Sequence, residues 1–95
     1  MAIRDYKNTL TTLTSGSTLS VQPAAGEQWE VNTVFFGQKL NMKIVQNSNT
    51  LTIDSYTDTG SIEGLALECD NSHYLVLENT SSVSALYGYE AVQTK

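Results

Sequence analysis

The fold is decided by the stretch YLVLENTSSVSALYGYE, which spans residues 74–90. It divides into two apolar, aromatic-rich segments separated by the polar turn sequence Asn79-Thr80-Ser81-Ser82. Alternate positions of residues 83–89 are Val, Ala, Tyr and Tyr, the spacing of a strand with one buried face. The stretch therefore predicts two short strands that form a packed, aromatic β-edge at the end of an all-β domain.

The same alternation runs through the rest of the chain. Three further segments have period-2 patterns whose predicted inward residues are Trp29, Val31, Thr33 and Phe35, then Leu40, Met42 and Ile44, then Leu51 and Ile53. Turn-forming residues separate the segments at intervals of roughly 8–12 residues, which is typical of a sandwich or barrel. At one of these turns, Pro23 and Gly26 predict a tight reversal of the strand before it into the strand after it.

We therefore expect an all-β chain with a single antiparallel, jelly-roll-like β-sandwich of about eight short strands. The predicted strands lie near residues 9–14, 17–22, 27–36, 39–46, 50–56, 61–69, 73–79 and 83–91. Residues 1–10 are interpreted as an N-terminal arm or first strand, and residues 11–95 as the sandwich domain. Ser, Thr and Asn together supply 29 of the 95 residues, and these side chains favour turns and strands over helices.

Charge and hydropathy exclude several classes of function. Ten acidic and five basic residues give a net charge of −5, and the bases are scattered, so that no basic stripe could neutralise phosphates. We expect binding neither to nucleic acid nor to a membrane surface. No apolar run approaches the ~20 residues that span a bilayer, and residues 1–6 do not resemble a secretory signal. The expected site of synthesis is the cytoplasm.

Size and cysteine content bear on how the domain is stabilised. A chain of 95 residues forms one domain, and it buries only about 60–65% of its unfolded surface. The single cysteine excludes an intrachain disulfide, and one cysteine with one histidine cannot complete a zinc site. Because small domains lacking these supports often associate, we expect oligomerisation.

Few residues are candidates for chemistry. Cys69 and His73 lie four positions apart across a turn, yet no motif of a cysteine-nucleophile family surrounds them. Paired carboxylates could serve a glycosidase, but a domain of this size has little room for a cleft between them. We predict no enzyme activity, no catalytic residue and no cofactor. The acids considered are the pairs Glu27/Glu30 and Glu63/Glu68.

The segment DSYTDTGSIE, residues 54–63, partly resembles a calcium-binding loop. An EF-hand loop requires an oxygen ligand at its third position and glycine at its sixth. Tyr56 and Thr59 occupy those positions, so the segment is read as an acidic hairpin loop and no metal is predicted. An irregular calcium site in this segment is left open.

Aromatic residues offer a different kind of site. Trp29, Tyr87 and Tyr89 share the predicted inward side of their strands, which favours packing in the core or at a subunit interface. Sugar stacking on the aromatic set, which also includes Tyr56 and Tyr74, is the alternative. The sequon Asn79-Thr80-Ser81 carries no weight without a secretory signal.

Two segments resemble the capsid decoration (cement) proteins of tailed bacteriophages. The first is Gln22-Pro23-Ala24-Ala25-Gly26-Glu27-Gln28-Trp29 within residues 19–31, and the second is the region 74–95 with Tyr87-Gly88-Tyr89 and Val92-Gln93-Thr94. Residues 37–72 show only a general β pattern. The resemblance implies a small β-sandwich that forms a homotrimer on the outside of a phage capsid and stabilises it.

The resemblance also sets the expected partners. These are the major capsid protein and two further copies of the chain, with synthesis in the host cytoplasm and a final location on the virion exterior. Because two of the five bases lie in the N-terminal segment, we hypothesise that Arg4, Tyr6 and Lys7 contact the capsid. The alternative is a carbohydrate- or receptor-binding sandwich of a phage tail or fibre.

Overall fold

The computed structural model describes residues 5–95, which form nine strands and no helix, and hence no helix long and apolar enough to cross a membrane. The strands are β1 (Thr9–Leu13), β2 (Thr18–Val21), β3 (Gln28–Phe36), β4 (Leu40–Gln46), β5 (Asn49–Tyr56), β6 (Gly60–Ile62), β7 (Leu67–Asp70), β8 (His73–Asn79) and β9 (Ala85–Gln93). The predicted all-β class is confirmed. The single strand predicted over residues 61–69 is two strands, because Ala66 has a φ of 50° and interrupts the extended backbone.

Two antiparallel sheets pack against each other. Sheet A has the order β1-β9-β3-β6, with β7 also paired to β3, and sheet B has the order β2-β8-β4-β5. The strand pairs are nested about the β4–β5 turn. From that turn outward they are β4·β5, β3·β6/β7, β2·β8 and β1·β9, and successive pairs belong alternately to sheet B and sheet A. This nesting is the jelly-roll arrangement, so the expected jelly-roll-like sandwich is confirmed.

The positions of β8 and β9 correct one prediction. β8 lies between β2 and β4, and β9 lies between β1 and β3, so neither strand forms an edge. The prediction of a β-edge was wrong because alternation reports which face is buried and not where the strand lies in its sheet. The predicted tight reversal before β3 was also wrong, since β2 and β3 belong to different sheets, although Gly26 adopts the expected positive φ of 85°.

A β-bulge in β3 changes which residues face the core. The pairing with β9 shifts between Val31 and Thr33, so Asn32 is the extra residue of the strand. After this residue the alternation reverses, and Val34 and Phe36 are buried while Phe35 is only half-buried. The prediction that Thr33 and Phe35 share the inward face of Trp29 and Val31 was therefore wrong.

A second shift occurs in the β4–β5 hairpin. Met42 pairs with Asp54 and Lys43 with Thr52, which leaves Ile53 unpaired. Every residue of β5 except Tyr56 is exposed, including Leu51 at 64% and Ile53 at 42%. The prediction that Leu51 and Ile53 are inward residues of the core was wrong, because β5 is the end strand of sheet B and contacts mainly β4.

The core also contains a polar centre, the side chain of Asn79 at the end of β8. This side chain is fully buried, and its Nδ2 donates to Leu13 O at 3.0 Å and to Val83 O at 2.9 Å. Its Oδ1 accepts from Ser81 N at 2.9 Å and from the Tyr87 hydroxyl at 3.0 Å. Asn79 therefore joins the ends of β1, β8 and β9, and a residue so enclosed is a poor glycosylation acceptor.

Candidate functional site

Cys69 and His73 do not form an activated nucleophile. The Cys69 thiol lies in the core, and burial raises its pKa to about 11, which disfavours the reactive thiolate. The His73 ring is engaged elsewhere, since its Nδ1 lies 3.0 Å from Gln46 Oε1.

The candidate carboxylates are arranged differently from the pairs that the sequence suggested. Glu27 Oε1 accepts a hydrogen bond from the Trp29 indole N–H at 3.1 Å. Glu30 on β3 lies directly opposite Glu68 on β7, a pair that sequence reasoning did not consider. Glu63 lies in the segment between β6 and β7, where Ser61 Oγ approaches its carboxylate at 3.5 Å.

In the segment 54–63, the carboxylate of Asp54 is hydrogen-bonded to neighbouring residues of the same segment. Asp54 Oδ1 accepts from Ser55 N at 2.9 Å, and Asp54 Oδ2 accepts from the Tyr56 hydroxyl at 2.7 Å, a contact that raises the pKa of Tyr56. Among residues 5–95, no group of three or more His, Cys, Asp or Glu residues could hold a metal ion. The irregular calcium site gains no support from this geometry.

The three candidate aromatic residues lie in or against the core. Tyr87 is fully buried, Tyr89 is 7% exposed and Trp29 is half-buried. The Trp29 ring stacks on Tyr89 with centroids 6.4 Å apart, and Lys7 Nζ lies 5.9 Å from the Trp29 ring centroid. The Trp29 ring thus already contacts Tyr89 and Lys7, and its N–H is bonded to Glu27, which leaves little of the indole for a sugar to stack on.

The three residues proposed to contact the capsid, all in the N-terminal segment, differ in their surroundings. Arg4 lies outside the described residues. Tyr6 forms a bridge with Val92 and is 80% exposed, whereas Lys7 donates its backbone N–H to Ala91 O at 2.9 Å and directs its side chain toward Trp29. The segment from Asp5 onward therefore follows β9 and continues sheet A.

The face of sheet A that points away from sheet B carries an apolar groove. Leu10 on β1 and Phe35 on β3 both lie opposite Gly88 of β9, and Leu86 lies two residues before Gly88. These three side chains line a surface cavity of about 490 Å³, and Leu10 is 63% and Leu86 50% exposed. We call this cavity the apolar groove, and the face that contains it the outer face of sheet A.

The bulge at Asn32 helps to form the groove, because it turns Phe35 outward and Phe36 inward. Sequence reasoning missed the groove. The adjacent pair Phe35-Phe36 was the available signal, since two neighbouring strand residues point to opposite faces and one of them must face out.

Acidic residues lie beside the groove on the same face. Glu90 lines the groove and is exposed. Glu30 lies opposite both Val92 and Glu68, which places all three residues on the face shared with Glu90. The one salt bridge found within residues 5–95 joins Lys43 to Glu78 at 2.9 Å, on sheet B, so no described Lys neutralises these acids.

Comparisons with known proteins do not assign this face. No family model matches the chain, and no curated protein matches it. Among solved structures, the chain is similar to a de novo designed double-stranded β-helix determined by solution NMR. The two share 13% sequence identity and a TM-score of 0.42 over 92% of this chain and 97% of that one, a likeness that carries no inference about function.

Proposed function

We propose that this chain is a structural virion protein, a capsid decoration protein that binds the outer surface of a phage capsid as a homotrimer and stabilises it. The observation that carries the proposal is the outer face of sheet A, where an open apolar groove adjoins a row of acids. Such a face is suited to binding a protein surface, because interfaces commonly combine buried apolar anchors with a polar, solvent-accessible rim. The sequence resemblance supplies the identity of the partner, the major capsid protein.

The surroundings of Cys69, His73 and the 54–63 segment favour a binding role over an enzymatic one. The thiol is buried with a raised pKa, and Asp54 is bonded to its own neighbours. A decoration protein stabilises a shell by adding interfaces between shell subunits, and the symmetry of the shell repeats each weak contact many times. The location that follows is the capsid exterior, after synthesis in the host cytoplasm.

The β5 strand supports the trimeric part of the proposal. It is the end strand of sheet B, and its exposed residues include Leu51 and Ile53. An end strand with exposed apolar side chains invites association unless it is covered, and a neighbouring copy would cover it. A Leu51→Ser variant should therefore lower the oligomeric mass measured by light scattering after size exclusion, while circular dichroism remains that of the wild type. A trimer unchanged by Leu51→Ser would remove β5 from the subunit interface.

The exposed N-terminal residue Tyr6 is a candidate for the capsid contact. Tyr6 is available to a shell because its side chain is 80% exposed, whereas the Lys7 side chain is held over Trp29. We therefore propose that Tyr6 contributes to capsid binding and that Lys7 supports the fold. Arg4, outside the described residues, keeps its place in the hypothesis, and removal of residues 1–8 with unchanged capsid binding would refute a role for the segment.

The alternative function, carbohydrate or receptor binding by a phage tail or fibre module, would use the aromatic residues. Trp29 is poorly placed for it, because Tyr89 and Lys7 lie against its ring. Addition of a glycan panel to the protein should leave the Trp29 fluorescence spectrum unchanged. A saturable spectral shift with any glycan would favour the alternative.

A reconstitution experiment tests the proposed function. Purified capsid shells that lack the chain are mixed with the wild-type protein, and bound protein is measured by co-sedimentation. We expect saturable binding with a copy number comparable to that of the shell protein, together with an increase in the temperature at which the shells disrupt. Absence of binding, or binding of only a few copies per shell, would contradict the proposal.

A further inference from the structure

We infer that the outer face of sheet A is the surface that meets the capsid, and that its partner is a shell segment presenting a bulky apolar side chain next to Lys or Arg. This inference rests on the proposed function and specifies the contact.

The close approach of β1 to β9 at Gly88 shapes the groove. A Cβ at position 88 would overlap the Thr9 carbonyl oxygen and would lie 3.0 Å from Leu10 Cα. Glycine therefore allows β1 to approach β9 closely, and it leaves no side chain between Leu10 and Phe35, which both lie opposite it. The result is a depression walled by apolar side chains.

The size and exposure of the groove indicate what it can hold. Its volume of about 490 Å³ exceeds that of a single large side chain, and Leu10 and Leu86 are each at least half exposed. An open apolar depression of this kind suits a protruding side chain that becomes enclosed only when the partner surface covers it. A second binding contact, Tyr6, lies on the same face, because it pairs with Val92 of β9.

Charge distinguishes a shell segment from a second copy of this chain. Glu90 lines the groove, and Glu30 and Glu68 lie further along the same face. Within residues 5–95 these acids have no salt-bridge partner, since the one salt bridge found there joins Lys43 to Glu78. Two copies docked through this face would bring like charges together, which is unfavourable, whereas Lys or Arg of a partner would be attracted.

The first test compares Leu86→Ser with Val83→Ser in the shell co-sedimentation assay. Both side chains are half exposed, at 50% and 51%, but only Leu86 lines the groove. We expect Leu86→Ser to weaken shell binding by about tenfold, the effect of removing an apolar anchor, and Val83→Ser to leave it within about twofold. Both variants should retain the circular dichroism spectrum of the wild type.

The second test uses charge. Glu90→Lys should weaken shell binding at low salt, and the difference from wild type should shrink as the salt concentration rises, because exposed charges are screened. If the wild type, Leu86→Ser and Glu90→Lys all bound shells equally well, this inference would be overturned and the proposed function would stand. Failure of the wild type to bind shells would overturn both.

A solution measurement tests the chemistry of the face without shells. The ¹⁵N-labelled protein is titrated with acetyl-Lys-Leu-Lys-amide and, separately, with acetyl-Glu-Leu-Glu-amide. We expect the amide signals of Leu10, Leu86 and Gly88 to shift with the basic peptide more than with the acidic one. Equal shifts with the two peptides, or shifts confined to other strands, would contradict the inference. Conversion of a wild-type oligomer to a monomer by Leu86→Ser would also contradict it, since a second copy of the chain would then occupy the groove.

Discussion

Replacement of Asn79 by Ala should cost a large part of the stability of this domain. The Asn79 amide group donates to Leu13 O and Val83 O, and it accepts from Ser81 N, Ser81 Oγ and the Tyr87 hydroxyl. The side chain is fully buried, so water does not readily reach the groups to which it is bonded. Its removal therefore leaves buried groups without partners.

The magnitude follows from which groups can find another partner. The Tyr87 hydroxyl can donate to Lys39 O, and the Ser81 hydroxyl can donate to Val83 O. Leu13 O and Ser81 N lose the contact supplied by Asn79. At about 1–3 kcal/mol for each unsatisfied buried group, we expect a loss of about 4 kcal/mol. This is a large share of the total, which for a domain of this size is about 5–14 kcal/mol.

Urea unfolding followed by Trp29 fluorescence measures this loss, because unfolding separates the indole from Tyr89 and Lys7. Asn71→Ala is the matched control, since Asn71 is exposed and its Nδ2 makes one hydrogen bond, to Pro23 O at 3.0 Å. We expect the control to lose no more than about 1 kcal/mol. If Asn79→Ala lost as little as Asn71→Ala, the reasoning that the buried amide joins the strand ends would be refuted.

Three further predictions concern single residues. The buried Cys69 thiol, with its pKa raised to about 11, should react with a disulfide reagent at pH 8 only after unfolding in urea, and rapid reaction of the folded protein would contradict its placement. Gly88→Ala should destabilise the domain by about 1–3 kcal/mol in urea, because the new methyl group overlaps the Thr9 carbonyl, and an unchanged midpoint would refute this packing. The backbone N–H groups of Ser72 and His73 lower the pKa of Asp70 below its ordinary value of 3.8. The contribution of this carboxylate to stability should therefore be complete above that pH and lost as the pH falls through the lowered pKa. Asp70→Asn should therefore narrow the difference in stability between neutral and acidic pH, and an identical pH profile would contradict the assignment.

The sequence was sufficient to predict the class of fold because alternation is a local signal. β4 and β9 each carry a run of apolar residues at every second position, and such a run needs only its own strand to be recognised. Turn residues between the runs then indicated short antiparallel strands. The two sheets and their nested pairing are consistent with that prediction.

Bulges limited how far the same reasoning could go. One extra residue at Asn32 reverses the alternation, so Phe35 faces out although it shares the parity of Trp29. Ile53 is likewise unpaired in β5. A bulge is set by pairing with a neighbouring strand, and that neighbour is distant in the sequence.

The candidate site could not be predicted from the sequence for a related reason. Leu10, Phe35 and Leu86 meet only because β1 and β3 flank β9, and no local pattern contains that information. Asn79 appeared in the sequence as part of a polar turn. Its burial and its bonds to Leu13 and Val83 depend on how three strand ends converge.

The most direct test of the central claim is the copy number of this chain in purified virions, measured by quantitative mass spectrometry relative to the major shell protein. We predict a number of copies comparable to that of the shell protein, as decoration of the whole capsid surface requires. A handful of copies per particle would contradict decoration and favour a tail module, and absence from the virion would contradict a structural role in the particle.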